Sequence, residues 1–379
     1  MTDGDWIESK DQSSDGIRLL QVGNIGKGVY LDKTKNAKYI SRETFNRLKC
    51  TEVMGGDILI SRLPDPIGRA CIVPNLDTDM ITAVDCTIIR VNSDKCDKHY
   101  LLHSLSSPQY YWQIDKHVVG STRSRISRKN LQTIILPLPP LEVQRKIADV
   151  LDRASALIEK RKAQIDKLDL LIKSQFIEMF GDPVTNPKGW KKKKLSFLGE
   201  LNRGISKHRP RNDPKLLGGI YPLVQTGDVA NSGFYINSYS STYSEVGLAQ
   251  SKLWNKGTLC ITIAANIAKT AILSFDACFP DSIVGFLPNS EINITFTYYW
   301  FCFFQKILEE QAPESAQKNI NLKILNELDV IVPPISIQTQ FADLVQNVET
   351  QKSLLQQSLA KLEQNYKSLM QKCFHGEIF

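Results

Sequence analysis

One stretch of this chain is written twice. Residues 138–153 read LPPLEVQRKIADVLDR and residues 332–347 read VPPISIQTQFADLVQN. Pro139 and Pro333 stand 194 positions apart, and the same offset aligns Pro140 with Pro334, Gln144 with Gln338, Ala148 with Ala342 and Asp149 with Asp343 without a gap. A repeat at that interval means two copies of one structural plan. In each copy the prolines sit where a helix can begin, because the N–H that proline lacks belongs to an unpaired first turn. Gly181 and Gly376 lie where such helices stop.

Between these signals apolar residues recur by alternating steps of four and three. The first copy gives Ile147, Leu151, Ala154, Ile158, Ile165, Leu168, Ile172 and Met179, broken by Arg161 and Gln175; the second gives Phe341, Val345, Val348, Leu355, Leu359, Leu362, Tyr366, Leu369 and Cys373, broken by Lys352. This is a coiled-coil seam in both copies. Helices over 141–180 and 335–374 would each run about 60 Å and need a partner. Arg161 aligns with Leu355 and Lys352 with Ile158, so neither seam is a closed copy of itself. The spacing predicts that Ile147, Leu151, Ile158, Ile165, Leu168 and Ile172 pack against Phe341, Val345, Leu355, Leu359, Leu362 and Tyr366.

The repeat extends upstream. LLQVGNIGKGVY (19–30) resembles PLVQTGDVANSGFY (222–235), GDILIS (56–61) resembles GTLCIT (257–262), and IGRACIV (67–73) resembles IAKTAIL (267–273). Asp85 then pairs with Asp281 and Tyr110-Tyr111-Trp112 with Tyr298-Tyr299-Trp300, while GSTRSRIS (120–127) stands where ESAQKNIN (314–321) stands. Apolar runs bounded by glycine read as strands and the aromatic triplets as helix packed under them. Each module is therefore a mixed sheet with a few helices.

Motifs of catalysis are missing. There is no phosphate-cradling G-x-x-x-x-G-K-[ST], and GNIGKG (23–28) has glycines without that spacing. Of five histidines only His99 and His103 stand at i, i+4, with no acidic third ligand in a recognisable motif, which reads as a solvated helix face. Eight cysteines without a C-x-x-C read as reduced core thiols. Neither the carboxylate–lysine pattern of a nuclease nor the proline–aromatic turn of an amino-methyltransferase is found. No apolar run reaches the roughly 18 residues needed to cross a bilayer and Met1-Thr2-Asp3-Gly4 lacks a signal peptide's basic and apolar regions, so a cytoplasmic location is expected.

A formal charge of +7 over 379 residues is weak but permits an acidic partner. The candidates for meeting one lie on loops: Arg123, Arg125, Arg128 and Lys129 in the first module, with Gln317, Lys318 and Asn319 at the matching place in the second. These side chains hold phosphates and read base edges, arginine on guanine and amides on adenine. Arg62, Arg69 and Lys269 beside the strands, Lys207 and Arg209 in GISKHRPR, and Gln225 with Thr226 at a strand end complete the set. The run 191–194 reads as a solvated face. A loop that keeps its position while changing its chemistry suits two modules that each read a different sequence.

LPLPPLEVQRKIA (136–148) and VIVPPISIQTQFA (330–342), each preceded by a variable module and followed by a heptad helix and a glycine tail, resemble the specificity subunit of type I restriction-modification enzymes. GDPVTNPKGWKKKKLSFLGEL (181–201) resembles that family's re-entry into its second module. The resemblance covers almost the whole chain. It implies an α/β (α+β) fold with two tandem target-recognition domains, at 1–138 and 183–332, separated by two long antiparallel coiled-coil helices, at 139–182 and 333–379, in a pseudo-twofold repeat. It also implies double-stranded DNA as a partner, a two-part recognition site, two methylation subunits and motor-nuclease subunits. S-adenosylmethionine, ATP and magnesium would bind those partners, and the chain itself would hold no cofactor and have no catalytic residues.

Two expectations stand apart from this plan. About thirty residues precede the matching strand of the second module but only sixteen precede Ile17, so nothing in the first corresponds to KKLSFLGELNRG; either the chain begins late or the first module is reduced. The competing functional reading is a coiled-coil adaptor that binds only protein.

Overall fold

The computed structural model describes residues 1–120, 124–264, 268–311 and 320–379. The chain forms two compact units, one of Met1–Ala163 with Gln357–Phe379 and the other of Gln164–Gln356.

In the first unit an antiparallel sheet runs Thr2–Asp3, Cys86–Ile89, Ile58–Ser61, Ala70–Ile72. A second sheet runs Gln12–Ser13, Lys38–Ile40, Ile17–Leu20, Met80–Thr82, Glu52–Val53, and its Ile17–Leu20 and Met80–Thr82 pair is parallel. Ile58, Leu59 and Ile60 are fully buried because both faces of their strand are covered. Ile58 and Ile60 pack with Leu102, Tyr110 and Ile114 of two helices, Lys98–Ser104 and Pro108–His117, while Leu59 packs with Leu20, Val53 and Met80 of the other sheet.

The second unit repeats this. One sheet runs Gly199–Arg203, Ile283–Pro288, Leu259–Thr262, Thr270–Leu273, Tyr235–Ile236, and another Ser241–Tyr243, Leu217–Leu223, Ala277–Cys278, Leu253–Trp254. Leu259 and Ile261 face the aromatic helix Ile294–Gln311, and Cys260 faces Val224, Trp254 and Phe279. Ser61 opposite Cys86 answers Thr262 opposite Ile283. Gly4 and Gly204 fill one further shared position: their N–H groups donate to Cys86 O and Ile283 O at 2.9 and 2.8 Å. A Cβ on either would come 2.3 Å from a carbonyl oxygen, of Thr82 and of Phe279, so only glycine fits.

Those ladders correct two expectations. Asp97 and Asn293 start the helices that lead to the aromatic triplets, which aligns Tyr100 with Phe296 and leaves the triplets as non-counterparts: Trp300 is buried and Trp112 exposed. Lys192–Lys194 keeps its side chains open to solvent, as expected, and its backbone forms a strand paired antiparallel with Asp329–Ile331. Part of the segment read as absent from the first module is present, since Thr2–Asp3 occupies, opposite Ile88 and Thr87, the place that Asn202 and Arg203 take opposite Gly285 and Val284. All eight cysteines are free, and Cys302 is exposed rather than in a core.

The two long helices run Leu141–Phe180 and Ile335–Phe374, over the ranges their periodicity predicts. Within the first unit Ile147 and Leu151 cluster with Met370 and Cys373, and Tyr366 joins them; within the second, Ile172, Phe176 and Phe180 cluster with Phe341, Val345 and Val348. Both pairings are antiparallel. Ile165, Leu355, Leu359 and Leu362 are half-buried along the same stripe, and Leu168 packs against the second unit's core. The polar break Lys352 ion-pairs with Asp169.

The repeated glutamine explains why the helix starts are alike. Gln144 Oε1 accepts from Asp97 N at 2.9 Å, and its Nε2 donates to Lys95 O and Pro139 O at 3.1 and 2.7 Å. Gln338 does the same with Asn293 N, Glu291 O and Pro333 O at 2.8, 3.2 and 2.7 Å. Each buried amide pins the helix start to the preceding loop, satisfying three backbone groups that water does not reach.

Candidate nucleic-acid interface

In the first unit three elements end at one place. Arg62 follows the strand Ile58–Ser61, Asp85 precedes Cys86–Ile89, and the loop carrying Arg125 leads into the short helix Arg128–Leu131. Backbone bonds hold them together: Arg62 N–H donates to Asp85 O at 2.9 Å, Ile126 N–H to Arg62 O at 3.2 Å, and Val119 and Arg125 exchange two bonds of 3.0 Å. Ser127 caps the helix by accepting from Asn130 N at 3.1 Å.

The side chains there form a basic cluster steered by two acids. Arg125 lies 3.7 Å from Asp85, and Arg128 and Arg62 lie 3.8 and 3.7 Å from Asp3. Contacts of that length orient the guanidinium groups without using up their donors, and exposed pairs of this kind are worth at most about 1 kcal/mol. Arg125 and Arg128 are 50% and 44% exposed, and Lys129 beside them is exposed. An anion meeting this surface can displace the carboxylates.

Two of the predicted contacts are corrected by burial. Arg69 donates through Nε to Ile25 O at 2.6 Å, through Nη1 to Leu63 O and Pro66 O at 2.9 and 3.1 Å, and through Nη2 to Val22 O at 2.9 Å. Its guanidinium knits the 22–25 and 63–66 loops together and has no face for a phosphate. Arg62 is likewise buried and donates to Val84 O. Both are interior braces. Arg123, Gln317, Lys318 and Asn319 lie outside the described residues.

In the second unit Asp281 gathers the arginines. Arg203 Nε donates to its carbonyl at 2.9 Å, Arg209 lies 3.6 Å from its carboxylate, and Arg211 ion-pairs with it. Arg209 also donates to Ser206 O and His208 O at 2.6 and 2.8 Å, and Lys207 stands exposed next to it. Three guanidinium groups around one aspartate, two of them on its carboxylate and one on its backbone carbonyl, leave a local excess of about two positive charges, a field that attracts polyanions. By the strand ladder the counterpart of Asp85 is Ser282, because Ile263 N–H donates to Ser282 O, so Asp281 falls one position early. Arg203 stands where the first module has Asp3. Neither Arg203 nor Arg211 was expected at the site; the density of arginine in the stretch 203–211 was the available signal.

The remaining candidates make other local bonds. Gln225 precedes the helical turn Thr226–Asn231, its N–H held by Asp228 at 2.8 Å, and its side chain is exposed beside half-buried Thr226. Lys269 is half-buried and its N–H donates to Thr262 Oγ1 at 3.1 Å. Among the described residues no group of three His, Cys, Asp or Glu side chains is placed to hold a metal ion. No described helix is long and apolar enough to cross a membrane.

The sequence profile of the type I restriction modification DNA specificity domain matches this chain twice, at residues 6–168 and 187–364. The chain belongs to that family. It is 23% identical over 324 residues to the type I restriction enzyme EcoBI specificity subunit of Escherichia coli, covering 76% of this chain and 68% of that one. Its fold is similar to the S subunit of a type I restriction-modification system from M. genitalium, with a TM-score of 0.58, 14% identity and coverage of 98% and 92%. A chain from a structure concerned with complex assembly and conformational transition of the type I R-M system gives a TM-score of 0.59 at 16% identity, covering 100% of this chain and 95% of that one. As a specificity-family member with two tandem modules, the chain matches the architecture implied by its sequence repeat.

Proposed function

We propose that each module reads one part of a two-part DNA sequence, the first through Arg125, Arg128 and Lys129 and the second through Arg203, Lys207, Arg209 and Arg211. The observation that carries this is that both modules, built on one ladder register, place an acid-steered arginine cluster beside the ends of the same two strands. Phosphate contacts from such clusters position a duplex, and the side chains that reach base edges specify it. By their place in the sequence, Arg123 joins the first set and Gln317, Lys318 and Asn319 join the second.

The two helices act as the spacer. Half-sites read in the major groove fall about 34 Å apart, one turn of the duplex, within the span of helices about 60 Å long. The subunit supplies recognition and docking in the cytoplasm, and the chemistry resides in methylation and motor-nuclease subunits that bind S-adenosylmethionine, ATP and magnesium. Co-expression with the methylation subunit and genome-wide mapping of methylated adenines tests this. Two short specified blocks with a fixed gap are the expected result; methylation without sequence preference, or none in a stable complex, overturns it.

A further inference from the structure

After the strand Ile17–Leu20 the first module folds back on itself in a small hairpin. Ile25 and Tyr30 pair antiparallel, and between them Gly26 N–H donates to Val29 O at 2.8 Å. Lys27, Gly28 and Val29 form an exposed tip. Two buried side chains hold the base. Asn24 Nδ2 donates to Leu31 O at 3.0 Å while Leu31 N–H donates to Asn24 O at 2.8 Å, and Arg69 Nε donates to Ile25 O at 2.6 Å.

The tip stands at the same end of the sheet as the arginine cluster. Gly28 N–H donates to Ala70 O at 2.9 Å, and Ala70 pairs with Ile60, two residues before Arg62. With strands about 4.8 Å apart, the tip lies about 10–15 Å across from Arg62 and Asp85, close to the ~12 Å width of the DNA major groove. Its charge suits that neighbour. Lys27 Nζ rests 4.8 Å from the centre of the Tyr111 ring and, among the described residues, pairs with no carboxylate. Lys33 and Lys35 follow, both exposed, and Asp32, the one acid of the stretch 26–36, is taken by Arg18 at 2.8 Å.

The fold does not require this hairpin. The counterpart segments begin alike, since Gln21 N–H donates to Asn24 Oδ1 at 2.9 Å and Gln225 N–H to Asp228 Oδ2 at 2.8 Å. The second module then runs on as the helical turn Thr226–Asn231 where the first doubles back. Lys269 stands at the Arg69 position, because Thr270 answers Ala70 opposite Ile261 and Ile60. Lysine lacks the planar fork with which Arg69 grips Val22 O, Ile25 O, Leu63 O and Pro66 O together. One ladder thus carries two different devices at one place, and the exposed tip answers to something outside the module's core.

We infer that the hairpin 25–30 is a finger that enters the major groove of the DNA met by the first module, an inference that rests on the DNA-reading role proposed above. The major groove admits a two-stranded ribbon, and there lysine meets the acceptors of guanine and an apolar side chain meets the methyl group of thymine. Lys27 takes the first role and Val29, 52% exposed, the second. Arg69 braces the finger from inside the module without touching the duplex.

The test uses the complex assembled with the methylation subunit. Methylation mapping with the unaltered complex gives the motif, and duplexes carrying each single base change in that motif are then titrated against the unaltered, Lys27→Ala and Val29→Ser complexes. The unaltered complex should disfavour each changed duplex by about 5- to 150-fold. Each variant is expected to lose that discrimination at one base position, both positions lying in the same block, and to keep it throughout the other block. Both side chains are exposed, so melting temperatures should not move. Full discrimination retained by both variants overturns the inference, even where affinity for every duplex falls. A split motif that the variants leave intact sinks the finger alone, whereas an unaltered complex without any motif sinks the DNA-reading proposal and the finger with it.

Discussion

His103 Nε2 lies 2.7 Å from Asp152 Oδ1, and its Nδ1 lies 3.1 Å from Tyr366 Oη. His99 Nδ1 reaches the other oxygen of Asp152 at 2.9 Å. A pair that spacing alone marks as a solvated face instead fastens the first module's helix Lys98–Ser104 to both long helices. The geometry suits a neutral imidazole donating to the carboxylate and accepting from the tyrosine. Burial of the ring is the larger influence and holds the His103 pKa below its ordinary value, with Asp152 opposing it.

The sign of the pH effect follows. Because the folded state binds the His103 proton less readily than the unfolded chain, its contribution to stability is complete above the unfolded value near pH 6.5. It is lost as pH falls from there toward the lowered folded value. Thermal melts of the first unit should show a drop below about pH 6.5 that His103→Gln removes. An unchanged slope in that variant would detach the effect from this ring.

Gln144→Leu or Gln338→Leu should destabilise the corresponding unit by about 2–4 kcal/mol, because three backbone groups lose their only partner while the volume is kept. Denaturant unfolding of each variant checks this. A loss confined to the unit that carries the change would show that the repeated glutamine acts locally.

The arginines should separate into two classes. Arg125→Ala and Arg128→Ala are expected to weaken DNA binding by the assembled complex by about 1–3 kcal/mol per contact, with melting temperature unchanged. Arg69→Ala should instead lower stability by about 3 kcal/mol or more, since four buried carbonyl contacts are lost. Gel-shift titration at several salt concentrations, beside a thermal melt of each variant, distinguishes them.

Phe176 packs within 5.5 Å, centroid to centroid, of Phe296 and Phe341 and is fully buried. Phe176→Ala is therefore expected to cost about 3–5 kcal/mol in the second unit. The check is a chemical denaturation curve, in which a shift below about 1 kcal/mol would mean that the site collapses around the smaller side chain.

The long helices could be read from sequence because forty residues of heptad spacing average out local accidents, and the tandem plan because proline, glutamine and alanine recur at one offset. Individual contacts were not so legible. Arg69 looks like any strand-flanking arginine until Val22 and Ile25, 47 and 44 positions away, fold over it. The role of His103 depends on Asp152, 49 positions on, which no spacing rule relates to it. The aromatic triplets failed as a repeat because similar composition on two helices does not fix register, whereas the N-caps Asp97 and Asn293 do.

The first unit is discontinuous, with Tyr366, Leu369, Met370 and Cys373 packed against Val143, Ile147 and Leu151. The second is one unbroken run from Gln164 to Gln356. During translation, then, the module that begins first must wait with part of its helical seam bare while the later module can already close. A ribosome that has just extruded residue 356 from its exit tunnel would carry a finished second unit and an unfinished first one.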